Sequence, residues 1–155
     1  MPILNSNFHI TMSKVRGVLV QPSGGVEVVE CIPLDVFGTL GSKLGRGSLG
    51  MTPISKNKRH FEFWYDDSGD HFAAGTRNSA METLLGGGFY GPGVILERKL
   101  DNDDDTMLDE DYYDILKDWD GKSDLLEYLL HIFQRTLKDM EEAKMLEPAI
   151  YVERL

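Results

Sequence analysis

The chain has 155 residues, 41% of them hydrophobic, and a formal net charge of −10. That length suits one globular domain with a core that needs no staple, and the single cysteine, Cys31, excludes an internal disulfide, a C-x-x-C zinc site or an iron–sulfur cluster. No apolar run approaches the roughly 20 residues of a membrane helix, and the first residues lack a basic stretch followed by an apolar block, so a soluble, cytoplasmic protein without membrane association is expected.

Residues 1–13 show no sustained period and are expected to be a flexible lead-in to one domain over 14–155. Val15–Val20 and Val26–Ile32 are β-branched runs separated by Gln21-Pro22-Ser23-Gly24-Gly25, which predicts a β-hairpin. Cys31 in its second strand is expected to be a buried thiol rather than a nucleophile. After Pro33 the spacing of Leu34, Phe37, Leu40 and Leu44 predicts a helix, although Gly38 and Gly41 within it each cost about 1 kcal/mol relative to alanine. Residues 45–59, GRGSLGMTPISKNKR, mix Gly, Ser, Pro and basic residues and predict a long basic loop.

His60–Asp66 alternates, and after Asp67-Ser68-Gly69 the chain is expected to return as Asp70–Thr76 in a second hairpin. That register sets Phe61, Phe63 and Tyr65 beside Thr76, Ala74 and Phe72 on the core face. On the other face it opposes Asp66 to His71 and Trp64 to Ala73. Asn78 caps a predicted helix over Ser79–Leu85 that ends at Gly86, and Gly91-Pro92-Gly93 opens a strand over Val94–Lys99. Asp101–Asp120 holds ten acidic residues against one lysine and predicts a loop followed by a helix of about ten residues. Ser123 then caps a helix over 123–147, with Leu126, Leu129, Leu130, Phe133, Leu137 and Met140 as its apolar stripe. Pro148 stops it, and Ala149–Arg154 reads as a final short strand. The fold class is α+β: a mostly antiparallel sheet of two β-hairpins plus a further strand, covered by helices on one side, with a long C-terminal amphipathic helix.

Charge is unevenly divided. Through His60, seven Lys/Arg stand against three acids, and the remainder carries nine against twenty-three. The basic part is suited to hold an anion and the acidic part repels nucleic acid. Lys43, Arg46, Lys56, Lys58 and Arg59 lie in or beside the basic loop, where they suit a phosphate-bearing ligand or an acidic protein partner. With no aromatic residue interleaved among them, direct nucleic-acid binding is not expected.

The run GGGFYGPG, Gly86–Gly93, follows a helix and precedes a strand, the reverse of a dinucleotide-binding loop, so its glycines read as structural punctuation. Phe89 and Tyr90 within it offer an aromatic surface to a ligand. Asp66 and His71, if opposed, form a carboxylate–imidazole pair of the kind used in acid–base work or metal ligation. Asp101, Asp103, Asp105 and Asp109 occupy positions 1, 3, 5 and 9 of a calcium-loop pattern, but Thr106 stands where glycine belongs and Tyr112 where the bidentate Glu belongs. The run therefore reads as a solvated acidic loop, with divalent binding as the alternative. His9, His60 and His131 form no spaced cluster, and neither G-x-S-x-G nor H-E-x-x-H occurs, so enzymatic activity is disfavoured and no cofactor is expected.

Taken together, VRGVLVQPSGGVEVVECI, the aromatic strand, Thr76-Arg77-Asn78-Ser79-Ala80 and Gly91-Pro92-Gly93-Val94-Ile95-Leu96 resemble the family named domain of unknown function 3846, over roughly residues 14–118. The resemblance implies a phage, viral or mobile-element setting and brings no catalytic residues. The expected function is that of a non-enzymatic binding or regulatory accessory protein acting on a host protein or sequestering a small anionic ligand. The alternatives are a small metal-dependent or acid–base hydrolase built on Asp66 and His71, and a homo-oligomeric module that associates through an exposed aromatic face around Trp64.

Overall fold

The computed structural model describes residues 14–32, 35–45, 47–99 and 112–145. Strands β1 (Val15–Val20) and β2 (Val26–Cys31) form the expected hairpin, its turn closed by Gly24 N donating to Gln21 O at 2.9 Å. Helix α1 (Val36–Leu44) follows, then β3 (Leu49–Lys56), β4 (Arg59–Asp66), the short α2 (Asp70–Ala73), α3 (Ser79–Leu85), β5 (Gly93–Arg98), β6 (Tyr112–Tyr113), α4 (Leu125–Ile132) and α5 (Leu137–Met145). The sheet runs β2-β1-β5-β4-β3, every pairing antiparallel, with β6 added to the end of β5. The α+β class with a mostly antiparallel sheet is as the sequence predicts.

Several elements differ from that reading. Most of the expected loop over 45–59 is strand β3, paired with β4 from Leu49↔Asp66 to Lys56↔Arg59. The connecting residues Asn57 and Lys58 both have positive φ, 49° and 64°, the requirement of a two-residue type I′ turn. Pro53 is tolerated because β3 is an edge strand, where a missing N–H breaks no ladder. Residues 70–73 are therefore not the partner of β4: Asp67-Ser68-Gly69 leads into α2, with Ser68 Oγ accepting from Asp70 N.

The C-terminal helix is also divided. Gln134 takes a left-handed conformation at φ 57° between α4 and α5, and Thr136 restarts the helix by exchanging hydrogen bonds with Asp139. Asp124 rather than Ser123 caps α4, accepting from Glu127 N at 2.9 Å. Within 112–120 the chain forms β6 and a turn instead of a helix; Arg16 holds this segment through a bidentate pair with Asp114, 2.8 Å at its shortest. The lead-in 1–13, the strand over 149–154, Arg46 and the four candidate metal ligands Asp101, Asp103, Asp105 and Asp109 lie outside the described residues.

Helices cover both sheet faces, not one. Alternation sends Val18, Val20, Phe61, Phe63 and Ile95 to the face packed by α3 and α4, while Leu19, Trp64, Val94 and Leu96 face α1. Phe61, Phe63 and Phe133 are almost wholly buried, with ring centroids 4.5 and 5.4 Å from Phe133, and each side chain contributes about 1.5–3 kcal/mol by its burial. The buried side of α1 is Val36, Leu40 and Leu44. Phe37 is 60% exposed and stands edge-on to Trp64, which is only 7% exposed, so the aromatic face expected around Trp64 is covered. Cys31 is buried as expected, and that burial pushes its thiol pKa up.

Asn78 joins three elements. Its Oδ1 caps α3 at Met81 N (3.1 Å), while Nδ2 donates to Val20 O at 3.0 Å and Gly91 O at 2.9 Å. Every hydrogen-bonding atom of this fully buried amide is thereby used.

Candidate functional site

The two ends of β4 open into two clefts of opposite character, about 20 Å apart at the rise of a β-strand. At its start, Lys58, Arg59, His60, Arg98, Tyr113 and Lys117 line a cleft of about 570 Å³ with Glu97. The left-handed turn presents Lys58, and the β4–β5 register places His60 opposite Arg98. Lys117 and Lys99 both stand over the Tyr113 ring, at 4.5 and 4.9 Å from its centroid.

The arginines here are held by buried carboxylates. Glu97 takes Arg59 in a bidentate pair, 2.9 Å to Nε and 2.7 Å to Nη2, which raises the Arg59 pKa further. On the opposite sheet face Glu62 accepts from Arg98 Nη1 at 3.1 Å, Trp64 Nε1 at 3.1 Å and Tyr112 Oη at 2.9 Å. Burial, then the Glu62 charge, pushes the Tyr112 pKa strongly upward, so its phenol stays a donor. Lys58 and Lys117 have no ion-pair partner among the described residues. Such a cleft combines guanidinium groups held by carboxylates with the exposed ammonium groups of Lys58 and Lys117, an arrangement suited to a multiply charged anion.

Of the cationic residues predicted as ligand-binding, Lys58 and Arg59 meet in this cleft. Lys56 is close by, opposite Arg59 in the hairpin, whereas Lys43 sits in the last turn of α1 and does not line it. His60, Arg98, Tyr113 and Lys117 were missed. They come from three separate segments, and only the β4–β5 register, with its His60↔Arg98 pair, would have signalled the gathering.

At the far end of β4 a second cleft of about 380 Å³ gathers Asp66, His71, Phe89 and Tyr90, all four singled out from the sequence, with Tyr65, Phe72 and Asp67. Asp66 and His71 do meet, His71 Nε2 lying 3.7 Å from Asp66 Oδ2, but across the turn into α2 and not across a hairpin. The contact is an ion pair when the imidazole is protonated and too long for a hydrogen bond. The His71 ring rests on Gly91, where φ is 81° and an added Cβ would lie 2.5 Å from the ring. Tyr65 lies over Gly50 of β3 and packs edge-on to Phe89 at 5.6 Å; Phe72 does the same to Tyr90 at 5.1 Å. Chemically the cleft offers an imidazole with a carboxylate nearby but not hydrogen-bonded to it, and no serine or cysteine lines the cleft among the described residues.

No group of three or more His, Cys, Asp or Glu side chains placed to hold a metal ion occurs among the described residues, and no helix there is long and apolar enough to cross a membrane. No family model matches the chain, and no curated protein or solved structure is significantly similar to it. The functional reading rests on the geometry of the two clefts.

Proposed function

We propose that the protein is a non-enzymatic binding protein that holds a small, multiply charged anion in the cleft at the start of β4. The observation that carries this reading is the concentration of Lys58, Arg59, His60, Arg98 and Lys117 around one space of about 570 Å³ in a chain whose net charge is −10. Background acidity repels anions from most of the surface, so a local basic cleft gains selectivity for them. Glu97 neutralises Arg59 and Glu62 neutralises Arg98, so the surplus positive charge of the cleft is carried by Lys58 and Lys117, which pair with no carboxylate among the described residues. An accessory role on a host protein or small ligand in a phage, virus or mobile element, the setting implied by the resembled family, is part of the same proposal.

Titration calorimetry with inorganic pyrophosphate tests it. Binding in the micromolar to millimolar range, weakening as salt rises and lost in Lys58→Glu/Lys117→Glu, is expected. No heat at about 10 mM pyrophosphate, or equal heat from the double variant, rejects it.

The Asp66–His71 contact of 3.7 Å favours a second reading, acid–base hydrolysis at the other cleft. Hydrolysis of a chromogenic ester faster than background and lost in His71→Gln supports it; equal background rates in both proteins remove it.

A further inference from the structure

We propose that the aromatic cleft at the end of β4 is a site for an organic ammonium ion: a cationic nitrogen carried on an apolar body about the size of one ring. This goes beyond the anion reading and stands independently of it.

Three features of the cleft select that chemistry. First, its walls are aromatic. Tyr65 with Phe89 and Phe72 with Tyr90 form two edge-to-face pairs, and their rings supply apolar area together with the negative quadrupole that attracts cations and repels anions. Second, its charge is acidic. Among the described residues Asp66 and Asp67 line it with His71 and no lysine or arginine, and Asp67 has no ion-pair partner there. Third, Asp66 is incompletely used. Its side chain is 14% exposed; Oδ1 accepts from Ser68 N at 3.0 Å, while Oδ2 lies 3.7 Å from His71 Nε2 and accepts no hydrogen bond among the described residues. A carboxylate oxygen that faces the cleft and accepts no hydrogen bond from the described residues can take one from a ligand N–H.

Other ligand classes fit less well. A neutral apolar molecule would strip water from Asp66 and return no hydrogen bond. An anion would meet two carboxylates and the negative faces of the rings. The volume, about 380 Å³, is that of a small-molecule site and accepts one ring with a short side chain. The walls are also preformed: the His71 ring is seated on Gly91 and the Tyr65 ring on Gly50, each against backbone that carries no side chain.

The test is a set of amide chemical-shift titrations on the full chain with phenethylammonium, 2-phenylethanol and phenylacetate, which share a ring and differ in charge. Phenethylammonium is expected to shift the amides of Phe72, Tyr90 and Gly91 saturably at millimolar concentration, at least about tenfold more tightly than the alcohol, with no response to phenylacetate. Asp67→Asn, at an exposed position that leaves folding intact, should weaken the amine about threefold without changing the alcohol. Asp66→Asn/Asp67→Asn should bring the two to the same affinity and leave pyrophosphate binding at the other cleft unchanged. A peptide with one monomethyl-lysine, which keeps its N–H donors, is titrated in parallel and distinguishes the source: tighter binding by the peptide places the cation on a protein partner, tighter binding by phenethylammonium on a free amine. Equal affinity for amine and alcohol, preference for phenylacetate, or no shift at these amides with about 10 mM amine overturns the proposal.

Discussion

The two ends of β4 are built from different physics. At the start, charge is fixed by charge: Glu97 and Glu62, each almost wholly buried, hold Arg59 and Arg98 from opposite faces of the sheet. At the end, rings are placed by backbone: Gly91 and Gly50 leave room for His71 and Tyr65, and Asn78 fixes the carbonyl of Gly91. The first construction depends on complete pairing, because a buried carboxylate without its partner is costly. The second depends on main-chain conformation and tolerates the loss of a surface charge. One strand can thus present a cationic cleft and an acidic aromatic cleft without either neutralising the other.

The strongest way to break this contrast is at Glu62. Glu62→Ala leaves the donors of Trp64, Tyr112 and Arg98 without their acceptor, and a loss of about 3–5 kcal/mol in urea unfolding is expected. At the aromatic end the comparable change is Asn78→Ala, which removes the α3 cap and orphans the carbonyls of Val20 and Gly91; about 2–3 kcal/mol is expected in the same measurement. Gly91→Ala is smaller in energy, about 1–2 kcal/mol for the left-handed conformation, but more local. It should displace the His71 ring and weaken phenethylammonium in the shift titration, while pyrophosphate heats remain as in the parent chain.

The smallest effect is a control outside both clefts. Hydrogen bonds from Ser123 and Lys122 hold the exposed Asp120 carboxyl at about 2, below its ordinary 3.8. A depressed folded-state value favours the carboxylate in the folded chain, so its contribution is present above 3.8 and is lost as pH falls toward about 2. A carboxyl NMR titration should place the Asp120 midpoint there, and a midpoint at or above 3.8 would contradict the capping geometry.

How much of this was legible in the sequence depends on where the determining signal lies. The β1–β2 hairpin and α3 carry local signals, a Pro-Ser-Gly-Gly turn in one and Asn78 with Gly86 in the other, and both appear where expected. Strand β3 was hidden because glycine and Pro53 suppress a strand pattern, and its turn uses Asn57-Lys58 where Asn-Gly is the usual signal. Without β3, the pattern leaves β4 only the following run as a partner, and Asp67-Ser68-Gly69 has the composition of a hairpin turn although it is the entry to α2. The break at Gln134 has neither Gly nor Pro to mark it; only the Thr136–Asp139 spacing announces a new helix start. Asp66 and His71 meet through the turn into α2 and not through a cross-strand pairing, because five residues of separation bring them close by either route. The basic cleft needed long-range register, which a single sequence does not supply.

One feature of β3 bears on how the chain behaves in company. Among the described residues its outer side pairs with nothing, and an open strand of eight residues is a template on which another chain can extend the ladder. Pro53 interrupts that row of donors at its middle, and Lys56 sets a positive charge at its end. A neighbour adding edge to edge would find a broken line of hydrogen bonds, so the same residue that disguised the strand also guards it against growth into ribbons.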